Sequence, residues 1–108
     1  MPKPSPSDAA ERLKSIYQQP FGGKERGRYK ISRINLRILS ERKRLENTFL
    51  DLLKSAAYDE QGLILEELED YFVVILEDTM LNYRPVPKSV ISKFVNVTKQ
   101  RGGEYDED

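Results

Sequence analysis

Nine cations lie between Lys24 and Arg44, opposed within that stretch only by Glu25 and Glu41. Lys24, Arg26, Arg28, Lys30, Arg33, Arg37, Arg42, Lys43 and Arg44 are the residue types that hold phosphate oxygens, so polyanion binding is the first chemistry to weigh. Tyr29 is the only aromatic among them, which removes the stacking platform a single-strand binder uses. Carboxylates cluster further on, as Glu66-Glu67, Glu69-Asp70 and Glu77-Asp78. Neighbouring residues on a strand point to opposite faces, so none of these pairs converges on a substrate. The chain has no Cys and no His, which removes thiol nucleophiles, imidazole bases, disulfides and the usual transition-metal ligand sets. Asp70 and Asp78 offer a hard cation little, and Gly22-Gly23-Lys24 lacks the spacing and the following hydroxyl of a phosphate-binding loop. No catalytic residue, metal site or cofactor is expected.

The zero net charge of the 108 residues conceals a segregation: residues 1–50 balance at +7 and residues 51–108 at −7. Such asymmetry suits a nucleic-acid-facing surface beside an acidic one, or faces that pair with each other or with a second copy. No apolar run approaches the roughly 18 residues of a membrane span, and the opening Met-Pro-Lys-Pro-Ser-Pro is no secretory signal. A cytoplasmic setting is expected, with no membrane partner.

The elements that must position these residues follow from periodicity. Residues 1–7 read as a disordered tail, 8–100 as one domain and 101–108 as a disordered acidic tail. Asp8 with Glu11 marks the start of a helix whose apolar face is Ala9, Ala10, Leu13, Ile16 and Tyr17, and Pro20 with Gly22-Gly23 ends it. Arg28–Ile31 alternates like a short edge strand, and Ser32 caps a second helix carrying Ile34, Leu36, Ile38 and Leu39. Ser40–Arg44 reads as a turn, with Leu45 as an anchor. A third helix from Asn47 places Phe49, Leu52, Leu53, Ala56 and Ala57 on one side and ends at Gly62.

After Gly62 the period changes to two. Leu63–Leu68 and Tyr71–Leu76 flank an acidic turn, drawn either as Glu69-Asp70 or as the four residues 67–70. Leu63, Leu65, Phe72, Val74 and Leu76 share one face; Ile64, Glu66, Tyr71, Val73 and Ile75 share the other. Thr79–Tyr83 is ambiguous, and a last helix from Pro87 carries Val90, Ile91, Phe94 and Val95. The second face of the hairpin needs a cover. The last helix folding back over it is the preferred expectation; a second subunit, with that helix swapped, is the alternative.

Helix, strand, helix, turn, helix and hairpin over residues 8–77 resembles a winged helix-turn-helix domain, with an added C-terminal helix. The resemblance implies a small α+β fold with a third helix suited to the major groove of double-stranded DNA. It implies that Arg42, Lys43 and Arg44 hold phosphates while Asn47 approaches adenine and Thr48 a thymine methyl. Two features oppose this. The third helix has no Arg and carries Asp51 and Asp59, and the wing tip Glu66-Glu67-Leu68-Glu69-Asp70 is acidic. The functional expectations are therefore a non-enzymatic DNA-binding regulator or accessory factor, or an interaction module. The module engages a basic protein partner through Glu66, Glu67, Glu69 and Asp70. A homodimer stacking opposite charges is a third arrangement.

Overall fold

The computed structural model describes residues 3–99, with side chains as far as Val95. Helix α1 spans Pro6–Tyr17 and begins two residues before the Asp8 start read from the sequence. Ser5 is its N-cap: the Ser5 hydroxyl accepts from the Asp8 N–H at 3.1 Å, and the Asp8 carboxylate accepts from the Ser5 N–H at 3.2 Å. Asp8 is thus the third-position partner of a capping box, and Pro6 occupies the first helical position, where its missing N–H costs nothing. Pro4 is buried. Residues 4–7, expected in a tail, belong to the folded unit.

Strand β1 (Tyr29–Ser32) leads directly into α2 (Arg33–Leu39), which Ser32 caps by accepting from the Asn35 N–H at 3.0 Å. Only Leu36 of α2 is buried. Ile34 and Ile38, expected in the core, lie one turn apart on the opposite side and are exposed. The helix ends in a Schellman arrangement: Glu41 N–H donates to Ile38 C=O at 3.0 Å and Arg42 N–H to Arg37 C=O at 3.1 Å. Glu41 takes the left-handed conformation (φ 55°) that glycine usually fills.

Helix α3 (Asn47–Gln61) buries Phe49, Leu50, Leu53, Ala56 and Ala57, a continuous stripe at helical spacing. Leu50 takes the place expected for Leu52, because Leu50, Leu53 and Ala57 share a row and Leu52 falls outside it. Gly62 closes the helix with φ 66°. The stripe packs on Ala9, Ala10, Leu13 and Tyr17 of α1, where the alanines admit close approach of the two helices.

Strands β2 (Leu63–Glu67) and β3 (Tyr71–Leu76) form an antiparallel hairpin, and β1 pairs with the other side of β3 to give the order β1-β3-β2. The last pair in register is Glu67 with Phe72, and Leu68 N–H donates to Tyr71 C=O at 2.8 Å, so Glu69-Asp70 makes the crossing. Neither residue has a positive φ, so the turn is not of the primed types. Ile31, Leu63, Leu65, Phe72 and Val74 face the helices and are buried, as the alternation requires. Full burial of each such side chain contributes about 1.5–3 kcal/mol.

The second face is covered only in part, since Ile75 is buried while Ile64, Tyr71 and Val73 stay half-buried. A 3₁₀ segment, Glu77–Asn82, packs at the end of β3; Thr79 and Met80 are half-buried, and Ile75 is buried. Helix α4 (Lys88–Lys99) does not fold back, and among the described residues no element packs closely on it. Val90, Ile91 and Phe94, assigned to a cover, are exposed. The connector Arg84-Pro85-Val86-Pro87 explains the separation: each proline fixes its own φ and holds the residue before it extended. The molecule is a small α+β domain with the arrangement of a winged helix, plus a projecting C-terminal helix. Among the described residues no helix is long and apolar enough to cross a membrane. The acidic segment 101–108 lies outside the described residues.

Candidate nucleic-acid interface and the face beside it

The structure divides the nine cations into two groups. Lys24, Arg26, Arg28 and Lys30 line the passage from α1 into β1 and are exposed. Gly22 (φ 60°) and Gly23 (φ 82°) form a tight turn closed by hydrogen bonds between Phe21 and Lys24 in both directions. Positive φ at two successive positions is why two glycines stand there. The turn holds the Phe21 ring edge-on to Tyr29, with ring centres 6.0 Å apart. Tyr29 in turn donates to the Leu13 carbonyl at 2.8 Å, and burial pushes its phenol pKa well above the ordinary range. The side chains of Lys24, Arg26 and Arg28 make no hydrogen bond or ion pair among the described residues, and Lys30 lies over the Tyr71 ring.

The second group is largely engaged inside the fold. Arg42 stacks 3.8 Å from the centre of the Phe49 ring and donates to the Pro4 carbonyl at 2.8 Å, tying the N-terminal segment to α3. Arg37 donates to the Arg42 carbonyl at 3.4 Å. Arg44 pairs with Glu46 at 3.2 Å on the open surface, and Lys43 is exposed. Lys43 and Arg44 border a notch of about 380 Å³ with Lys3, Arg42, Glu46 and Phe49. Asn47 and Thr48 are exposed on the first turn of α3.

Arg33 is the most constrained of the nine. Its guanidinium lies over the Phe72 ring, pairs with Glu67 and donates to the Glu69 carbonyl at 3.0 Å. Lys54 of α3, expected as an exposed position of the third helix, reaches the other oxygen of the same carboxylate at 3.1 Å. The Arg33 hydrogen bond, and then that of Lys54, hold the Glu67 carboxyl pKa below the usual range. Of the four acidic residues expected to meet a partner, Glu67 is thus an internal clasp joining the wing to α2 and α3. Glu66, Glu69 and Asp70 remain exposed.

Contacts along α3 fix its direction relative to the hairpin. Lys54 meets Glu67 near the wing tip, and Tyr58 donates to Glu77 at 2.8 Å at the hairpin base. That hydrogen bond, together with the Glu77 charge, raises the Tyr58 pKa. Asp51, one turn before Lys54, consequently lies toward the tip. The exposed arc of α3 runs through Thr48, Asp51, Leu52, Ser55, Tyr58 and Asp59, so it presents carboxylates and apolar side chains. An arc of that sign repels a phosphate backbone.

A second apolar surface has no counterpart in the sequence reading. Ile38 and Leu39 of α2, with Ile16, Phe21, Tyr29 and Ile31, line an open groove of about 470 Å³. Its sequence signal was that α2 carries four large apolar residues in seven, more than one side of a two-turn helix can bury. Among the described residues no group of three or more His, Cys, Asp or Glu is placed to hold a metal ion. No protein-family model, curated protein or solved structure matches the chain.

Proposed function

We propose that the chain is a non-enzymatic interaction module of winged helix-turn-helix type, acting in the cytoplasm, that docks a basic protein partner on α3 and the wing. One observation carries the reading: Arg33 and Lys54, the cations that reach the helix-facing side of the wing, are both bound to Glu67, and Lys30 lies over Tyr71 on its other side. The surrounding surface therefore keeps Asp51, Asp59, Glu69 and Asp70 exposed and without an ion-pair partner among the described residues, with Leu52, Tyr58 and Leu68 as apolar anchors among them, while Glu66 is exposed on the other face of the hairpin. Complementary charge steers the encounter and sets register, while the apolar anchors supply affinity.

A second reading, DNA binding, draws on the exposed Lys24, Arg26 and Arg28 and on Lys43 and Arg44 beside their notch. In that reading these cations hold phosphates, and Asn47 and Thr48 approach bases from the adjoining turn.

One experiment separates the two. A labelled Leu/Lys amphipathic helix and a labelled mixed-sequence duplex are each titrated against the wild type and against Glu66→Lys/Glu69→Lys/Asp70→Lys. The module reading expects peptide binding that the reversal weakens by about tenfold or more. Duplex binding that weakens steeply with salt, with no peptide binding, overturns it in favour of the DNA reading.

A further inference from the structure

We infer that the basic partner of the α3–wing face is α4 of a second copy of this chain, so that two molecules exchange their C-terminal helices. The inference rests on the module reading and names the occupant of its docking face.

Three features of α4 point there. First, a helix of twelve residues is marginal in water on its own, and among the described residues this one has no element packed closely along it. Second, its apolar residues Val90, Ile91 and Phe94 recur at helical spacing and are exposed, Phe94 to 80%. Third, its charges between Lys88 and Lys99 are all positive: Lys88, Lys93 and Lys99, with no carboxylate. The α3–wing face has the opposite character, exposing Leu52 and Tyr58 among Asp51, Asp59, Glu69 and Asp70. The apolar groove beside α2 offers no such match: Lys30 is the one charged residue lining it, and it has no carboxylate to meet the lysines of α4.

The second copy follows from the connector. Pro85 and Pro87 hold residues 84–87 extended and carry α4 off its own body, so the helix is presented to another molecule. Because each copy owns one arm and one receiving face, the exchange is reciprocal and closes as a two-fold dimer. The dimer also regulates: while a sister arm occupies the face, an outside basic partner must displace it.

The test uses the full chain and two charge-reversed variants, Glu69→Lys/Asp70→Lys and Lys88→Glu/Lys93→Glu, all at exposed positions outside the core. Sedimentation equilibrium should give a dimer for the wild type and a weaker one, by about tenfold or more, for each variant alone and for Phe94→Glu. Mixing the two charge variants should restore the dimer, since each arm then meets a face of opposite sign. Far-UV circular dichroism should show helical content rising with protein concentration in the wild type only. A wild type that stays monomeric, a dimer untouched by the variants, or a mixture that fails to reassociate overturns the inference. The Leu/Lys peptide titrated against Lys88→Glu/Lys93→Glu, whose face is free, separates the failures: peptide binding without dimerisation leaves the module reading standing, and absence of both removes it.

Discussion

Replacing Glu67 by Gln keeps the size of the side chain and one acceptor oxygen but removes the charge shared by Arg33 and Lys54. Both ion pairs are partly open to solvent, the Glu67, Arg33 and Lys54 side chains being 32%, 38% and 36% exposed. Pairs of this kind contribute about 0.2–1 kcal/mol each, so the clasp as a whole contributes about 1 kcal/mol. For a domain of this length that corresponds to a fall in Tm of roughly 4–8 °C. The pH dependence has a definite sign. Arg33 and Lys54 lower the Glu67 pKa in the folded state, so the stabilisation is complete above the unfolded value of about 4.3. It is lost as pH falls through the depressed folded value. Urea unfolding followed by circular dichroism should therefore show Glu67→Gln less stable than wild type at neutral pH, with the gap closing in acid. The wing amides should also exchange faster in the variant. A gap of equal size at neutral and acid pH would mean that Glu67 acts through packing, and the clasp would be refuted.

Glu41 sits at a left-handed position and also pairs with Arg12 at 3.1 Å, so Gly and Ala substitutions separate backbone from charge. Glu41→Gly should melt above Glu41→Ala by about 1 kcal/mol, since both lose the ion pair and only Ala keeps the strain; equal melting would refute the assignment. Arg42→Ala should destabilise by about 1–2 kcal/mol through loss of the Phe49 stack and the Pro4 hydrogen bond, while Lys43→Ala should stay within about 0.5 kcal/mol in the same denaturant titration.

The parts of the fold that were legible in the sequence are those where a local rule and the tertiary structure agree. The switch to alternation after Gly62 placed the hairpin and assigned both of its faces, because a strand with one buried side has no freedom in phase. Ser32 and Gly62 marked helix ends through their own side-chain and backbone chemistry. The misplaced apolar residues have one cause: periodicity states which residues share a side, not which side meets a neighbour. Ile34 and Ile38 form as good a pair as any in α2, and Leu52 adjoins the α3 stripe, yet all three face outward. Two helix starts compete near the N-terminus, and Ser5 prevails over Asp8 because Pro6 suits the first turn. For the candidate site the sequence listed the cations but not their engagements. Arg33 and Arg42 differ from Lys24 and Arg26 only in what lies within reach once α2, α3 and the wing are assembled.

The four residues of the Arg84–Pro87 connector have almost no torsional freedom left. In an extended, polyproline-like path they cover about 12 Å. A link that cannot bend behaves as a gauge block: it sets a fixed offset between the body and whatever the last helix grips. A two-fold dimer built through that helix inherits the offset as the separation of its two bodies, which is written into the chain by two proline rings.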